Sequence, residues 1–334
     1  MSESMLAVRD LRKSFHVAGG GKKKLCALDG ITLDLARGET LGLVGESGCG
    51  KSTLARTLLM LEKPDSGSVQ FDGVDPFSLR GKDLLKFRRR VQMVFQDPYA
   101  SLNARMSAGD IIAEPWRSHP GTYRNRRERQ TRVRGLLDLV GLGAGAADKY
   151  PQEFSGGQRQ RIGIARALAL DPDVIICDEP VSALDLSVQA QVLNLLNELQ
   201  QQLGIAYIFI SHDLSVVRHV ADRVAVMYLG RIIETGPTEA VFDRPNHPYT
   251  AALMSAAPTL DGAQRKQRIL LKGEVPSPLN PPSGCRFRTR CWKATEICAT
   301  TEPPAALDPA VVGHAAGCHH PLLSEGATLT SVPA

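Results

Sequence analysis

Over the first 95 residues, short apolar runs alternate with polar turns such as Lys63-Pro64-Asp65-Ser66-Gly67, and the pattern predicts a mixed sheet edge of strands joined by tight reversals. The run Leu41-Gly42-Leu43-Val44 leads into a Gly-rich segment and then a helix predicted from Ser52 to Leu61. Residues 96–165 lose this alternation and read as helix and loop. Within them Val133, Leu136, Leu137 and Val140 fall at helical spacing and form one apolar stripe. From 166 to 236 strand and helix alternate again. The continuous apolar runs at 174–178 and 206–210 suit parallel strands buried on both faces. No internal repeat is visible.

The Gly-rich segment carries the first chemistry. Gly45-Glu46-Ser47-Gly48-Cys49-Gly50-Lys51-Ser52 fits G-x-x-x-x-G-K-[ST], a pattern expected by chance in about one chain in a hundred of this length. Its glycines allow a tight loop whose backbone N–H groups face an anion, and the positive end of the following helix adds to the attraction. Lys51 is expected to reach the β- and γ-phosphates of a nucleotide, and Ser52 to offer its hydroxyl to Mg²⁺.

Two carboxylates end the apolar run Val174-Ile175-Ile176-Cys177-Asp178-Glu179. Such a pair can be a solvated loop start, but the buried strand before it favours a site. Asp178 is expected to hold Mg²⁺ through water, and Glu179 to orient and deprotonate the attacking water. His212 follows the run Ala206-Tyr207-Ile208-Phe209-Ile210. At the carboxyl end of a strand in an α/β sheet it faces the ligand crevice and could sense the γ-phosphate.

Composition limits the alternatives. A length of 334 residues suggests about two domains. No stretch approaches the roughly 18 apolar residues of a membrane span, and the start MSESMLAVRD lacks the layout of a signal peptide. The expectation is a cytoplasmic chain whose membrane association comes through partners. A net charge of +5 is mild. The basic runs Lys82 to Arg90 and Arg124 to Arg134 read as solvated helix faces, the second because of its apolar stripe, so no nucleic-acid partner is expected.

Taken with Ser155-Gly156-Gly157-Gln158, these motifs resemble, in order, those of the ATP-binding subunits of ABC transporters over residues 5–240. The resemblance implies an α/β P-loop NTPase core of ABC type with a helical subdomain at about 96–165. It identifies Gly45–Thr53, including Thr53, as the Walker A loop, and Phe15 as the ring on adenine. Gln96 becomes the Q-loop residue, a Mg²⁺ ligand with Ser52 and Asp178 and the connection to the membrane partner. It makes Phe154-Ser155-Gly156-Gly157-Gln158 the signature, with Phe where Leu is commoner. Asp178-Glu179 become Walker B and the catalytic glutamate, Asp185 the D-loop aspartate, and His212 the switch histidine. Two subunits would close head to tail on two ATP molecules, with Ser155 and Gly157 of one binding the γ-phosphate held by the other. Such a segment can open a helix, expected here from Gln158 to Leu168, and present N–H groups to an anion.

Residues 241–325 read as an extension. Asn246-His247-Pro248-Tyr249-Thr250, with a helix through Ala251 to Ala257, resembles the C-terminal element of oligopeptide and dipeptide importer ATPases. The stretch Val275-Pro276-Ser277-Pro278-Leu279-Asn280-Pro281-Pro282 breaks helix and strand alike. Four of the seven cysteines follow: Cys285, Cys291, Cys298 and Cys318. In a reducing compartment their crowding points to metal rather than disulfides. Their gaps are wider than the usual zinc pairs, and four thiolates would satisfy an iron–sulfur cluster. Since several peptide-importer ATPases carry a four-iron cluster here, a [4Fe-4S] group ranks above Zn²⁺, which His314, His319 and His320 keep open as a mixed site. Arg286, Arg288, Arg290 and Lys293 are expected to offset the thiolate charge, and Trp292 to shield the group from solvent. The cluster is read as a structural tie for the segment. Residues 326–334 are read as a disordered tail.

The resulting expectation is an ATPase on the cytoplasmic face of the inner membrane, energising uptake of dipeptides or oligopeptides. Its partners would be two transmembrane permease subunits, a similar but distinct second ATPase and an extracytoplasmic peptide-binding protein. The alternative is a soluble ABC-type ATPase of DNA repair, translation or iron–sulfur assembly.

Overall fold

A computed structural model describes residues 4–17, 24–97, 99–123, 125–256 and 269–322. The chain opens with strands β1 (Ser4–His16), β2 (Lys24–Ala36) and β3 (Thr40–Val44), then helix α1 (Lys51–Leu58) and β4 (Ser66–Phe71). Next come α2 (Gly81–Arg90), β5 (Val91–Val94), α3 (Ala108–Ala113), α4 (Pro115–Ser118), α5 (Arg126–Leu139) and α6 (Gly156–Leu168). Strand and helix then alternate through β6 (Val174–Asp178), α7 (Leu186–Leu203), β7 (Ala206–Ile210), α8 (Leu214–Val220), β8 (Arg223–Tyr228) and β9 (Arg231–Pro237). The extension adds α9 (Thr238–Asp243), α10 (Pro248–Ser255), α11 (Glu296–Thr300), β10 (Ala305–Leu307) and β11 (Ala315–Gly317). These elements divide into two compact units, one built mainly from 74–210 and the other from 5–35, 40–73 and 211–334.

In the first unit β7, β6 and β5 lie side by side and parallel, with Val174 opposite both Ala206 and Val91. Residues 174–177 and 206–210 are all buried, which is why these strands read as unbroken apolar runs. The stripe Val133, Leu136, Leu137 and Val140 is buried as anticipated, and α3, α5 and α6 pack together around it. The Trp116 indole N–H, reaching the Ala169 carbonyl at 2.8 Å, ties α4 to the end of α6.

In the second unit β1 lies between β2 and β4, antiparallel to β4. A further row runs β10, β11, β9, β8, β3, with β3 and β8 parallel and the remaining neighbours antiparallel. The extension is joined to this row through β11. It is locked by Glu234 of β9, whose buried carboxylate accepts the Asn246 and His247 backbone N–H groups at 2.6 and 2.8 Å and lies 2.7 Å from His314 Nε2. No helix or strand occurs at 275–282, as the prolines require. The expected tail at 326–334 lies outside the described residues.

Candidate functional site

In the second unit, β3 runs into the glycine loop and the loop into α1. Gly45 has φ +153, and an added Cβ would lie 2.1 Å from the Met227 carbonyl oxygen, so a side chain there would push the loop off β8. Lys51 is 7% exposed, and its Nζ donates to the carbonyls of Gly45 at 2.7 Å and Glu46 at 3.0 Å. Ser47, Gly48 and Ser52 are exposed, Thr53 and Gly50 half-buried and Cys49 buried. Burial raises the Cys49 thiol against the pull of Lys51 and keeps it protonated. Phe15 is half-buried on β1, with the Lys13 ammonium 5.2 Å from its ring centre. His212 is exposed, one residue before Asp213, which caps α8.

The first unit brings together two of the expected catalytic groups. The Gln96 side chain, past the end of β5, donates to the Glu179 carboxylate at 2.8 Å. Glu179 takes φ +48, a left-handed conformation costly for a residue with a side chain, and its N–H donates to the Ile210 carbonyl at 2.9 Å. Asp178 is half-buried at the end of β6.

Ser155 caps α6 in a reciprocal box: its hydroxyl accepts the Gln158 N–H, and the Gln158 side chain accepts the Ser155 N–H at 3.0 Å. Helix α6 therefore begins at Gly156, two residues before the expected Gln158. Phe154 is buried just ahead of it. Gly157 abuts Val188 of α7 so closely that an added Cβ would sit 2.2 Å from Val188 Cγ1. Asp185 caps α7, accepting the Val188 N–H at 2.9 Å and the Ser187 hydroxyl at 2.7 Å, and these bonds lower its carboxyl.

In the extension, Cys285, Cys291, Cys298 and Cys318 line one small cavity with His319 and His320. Burial raises the thiols of Cys285 and Cys291, and that of Cys318 to about 12, with the neighbouring cysteines adding to the effect. Among the described residues no group of three or more His, Cys, Asp or Glu stands where it could hold a metal ion.

Residues 28–182 match the ABC transporter family, and residues 233–298 match the oligopeptide/dipeptide transporter C-terminal region. The dipeptide transport ATP-binding protein DppF of Haemophilus influenzae is 53% identical over 93% of this chain and 94% of its own. The chain belongs to the ABC transporter ATP-binding family. The probable peptide ABC transporter ATP-binding protein y4tS of Sinorhizobium fredii is 53% identical over 96% of this chain and 90% of its own. A dimeric post-hydrolysis state of the ATP-binding cassette MJ0796, bound to ADP and Pi, is 29% identical with TM-score 0.62, covering 70% of this chain and 99% of that one. The cbiO1 cassette of Clostridium perfringens is 32% identical with TM-score 0.63, covering 73% and 92%. The match at 233–298 favours the importer ATPases over the soluble ABC-type alternative.

For this ABC ATPase the extension departs from expectation in several places. The anticipated metal centre is not reproduced as an ion-binding group. His314 does not join the cysteines, being fully buried against Glu234, whereas His319 and His320 line their cavity. Arg286 turns to Asp29 and the Leu229 carbonyl, and Arg290 to the Glu46 carboxylate, rather than to the thiols. Arg288 and Lys293 do line the cavity, where their charges pull the Cys285 and Cys291 thiols down against burial, and Arg288 also donates to the Ser283 carbonyl at 3.0 Å. A carboxylate outcompetes a protonated thiol for a guanidinium group, because only the former carries the opposite charge. Trp292 is 48% exposed and does not line the cavity. Tyr249 also reaches the glycine loop, its hydroxyl accepting the Glu46 N–H at 3.0 Å. Nothing local announces these contacts, since Arg290 and Glu46 are 244 residues apart.

Proposed function

We propose that this ABC ATPase binds and hydrolyses Mg²⁺-ATP to energise uptake of dipeptides or oligopeptides through membrane-embedded permease subunits. The observation that carries the reading is 53% identity to a dipeptide transport ATP-binding protein along nearly the whole chain, extension included. Lys51 and the loop N–H groups bind the polyphosphate, Phe15 stacks on adenine, and Ser52, Asp178 and Gln96 hold Mg²⁺. Glu179 takes the proton of the attacking water, and the Gln96–Glu179 hydrogen bond supports that assignment by fixing the carboxylate. His212 contacts the γ-phosphate and registers its loss.

The second active surface is the start of α6. Two chains, this one and a similar second ATPase, close head to tail, so that Ser155, Gly156, Gly157 and Gln158 with Asp185 complete the site on the partner's ATP. An α-helix start presents N–H donors to an anion, which supports this role. Cleavage removes the phosphate that both subunits share, and the pair opens. Among the described residues no helix is long and apolar enough to cross a membrane. The protein works from the cytoplasmic face of the inner membrane through its permeases, with an extracytoplasmic binding protein delivering the peptide. ATP-dependent uptake of a labelled dipeptide by reconstituted transporter vesicles tests the reading. Uptake that persists with Glu179→Gln in place of the native subunit would overturn it.

We further propose a [4Fe-4S] cluster on Cys285, Cys291, Cys298 and Cys318. All four line one cavity, and four cysteine thiolates are the ligand set that such a cluster takes. When bound it would tie the turn at 285–291 to α11 and to the segment after β11, and the raised thiols of Cys285, Cys291 and Cys318 would release protons on loading. Iron and acid-labile sulfide are expected in protein purified without oxygen and lost in Cys298→Ser. Equal iron in both would sink the assignment.

A further inference from the structure

The turn carrying Cys285 and Cys291 grips the glycine loop from two directions. On one side the Arg290 guanidinium forks onto Glu46, with Nη1 at 2.8 and 3.1 Å from the two carboxylate oxygens and Nη2 at 3.1 Å. The same Glu46 gives its N–H to Tyr249, and its carbonyl together with that of Gly45 holds Lys51 Nζ. On the other side Arg286 binds the Leu229 carbonyl and Asp29. The next residue, Gly230, donates its N–H to the Cys49 carbonyl at 2.8 Å.

The turn is itself held firmly. Phe287, 1% exposed, packs between Tyr228 and Tyr249 at ring distances of 5.5 and 5.4 Å. The Arg290 side chain is 8% and that of Glu46 27% exposed, so their bidentate pair is partly screened from water and worth more than a fully exposed ion pair. Burial opposes the charge on Arg290, and the Glu46 carboxylate outweighs it. Asp29 gathers Arg12, Arg231 and Arg286, which together overcome the cost of its burial and keep it ionised.

We infer that Arg290 is a positioning residue of the nucleotide site: by clasping Glu46 it fixes the two carbonyls that aim Lys51, so ATP affinity depends on how residues 285–291 are seated. The inference rests on the reading that Lys51 binds the phosphates. It gives the extension a task in the catalytic cycle, since whatever loosens the cysteine-bearing turn loosens the grip on ATP.

The test uses the complete transporter, measuring ATP turnover and the binding of a fluorescent ATP analogue with Mg²⁺. Arg290→Gln is expected to raise the KM for ATP and the dissociation constant about tenfold. Turnover at saturating ATP should stay within about twofold, because no group that touches the reacting atoms changes. Glu46→Gln should raise the same dissociation constant by a similar factor, and the double variant should bind ATP no worse than either single one. Arg290→Lys should fall between, keeping the charge but losing the fork. Thermal unfolding of each variant shows whether it is folded at the assay temperature; the milder Arg290→Lys and Glu46→Gln carry the test if Arg290→Gln is not. Folded variants that bind ATP as the parent does, or losses that simply add in the double variant, would overturn the clasp alone. A parent protein that bound no nucleotide would overturn the functional reading and the clasp together.

Discussion

The Gln96 side-chain amide and the Glu179 carboxylate meet at 2.8 Å, although 83 residues separate them in the chain. The bond joins the segment after β5 to the segment after β6, so the carboxylate that ends an apolar strand has a fixed direction. Glu179 also sits in a left-handed backbone conformation at φ +48, which the strand carbonyl of Ile210 helps to hold.

Glu179→Gln should therefore keep nucleotide affinity while lowering turnover by roughly 10²–10⁴, the range for losing a general base. Single-turnover hydrolysis alongside equilibrium ATP binding separates the two effects. Normal hydrolysis in this variant would remove Glu179 from the role.

Lys51→Ala is expected to abolish nucleotide binding. The lysine supplies the loop's buried cation, and its ammonium is already directed by the Gly45 and Glu46 carbonyls. Titration with a fluorescent ATP analogue reads the outcome, and unaltered affinity would contradict the site assignment.

Gly157→Ala should destabilise the first unit by about 1–3 kcal/mol, because its methyl would drive into Val188 and separate α6 from α7. Urea unfolding measures the loss. Combining it with Val188→Ala should restore part of the stability, and a fully additive double variant would refute the steric cause.

Glu234→Ala should cost about 3–5 kcal/mol, since it strands a buried imidazole and two buried N–H groups at once. Limited proteolysis should then cut the extension first. An extension as resistant as that of the parent would show that the anchor lies elsewhere.

Burial holds the His247 imidazole down to about 3, from an ordinary value of 6.5, and its Nδ1 accepts the Tyr249 N–H at 3.0 Å. The unfolded chain takes up a proton near 6.5 and the folded chain does not, so unfolding gains a proton across this window. Stability from this group is complete above about 6.5 and falls by up to about 1.4 kcal/mol per pH unit toward 3. Urea midpoints at pH 7.5 and 5.5 should differ accordingly. His247→Asn, which can still cap α10, should flatten the difference; an unchanged pH slope would exclude His247 as its source.

Much of this architecture is legible in the chain because its determinants are local. The strands at 174–178 and 206–210 are found where unbroken apolar runs place them, and the stripe on α5 is buried as its spacing demands. Helix α1 starts at Lys51 but stops at Leu58 rather than Leu61, because Met60 turns to φ +58 and reverses the chain. The extension was less readable. Three-residue strands such as β10 and β11 are too short to show a period, and a run of arginines beside cysteines does not reveal carboxylates folded in from residues 29 and 46. His314 follows the same rule: its partner Glu234 lies 80 residues away.

The tight seating of Gly157 on Val188 has one more result. With no room for even a methyl between them, the two helices behave as a single casting, with Ser155 at the head of one and Asp185 at the head of the other. Were the proposed second subunit to press on either residue, both would shift, and news of its arrival would need no hinge to spread between them.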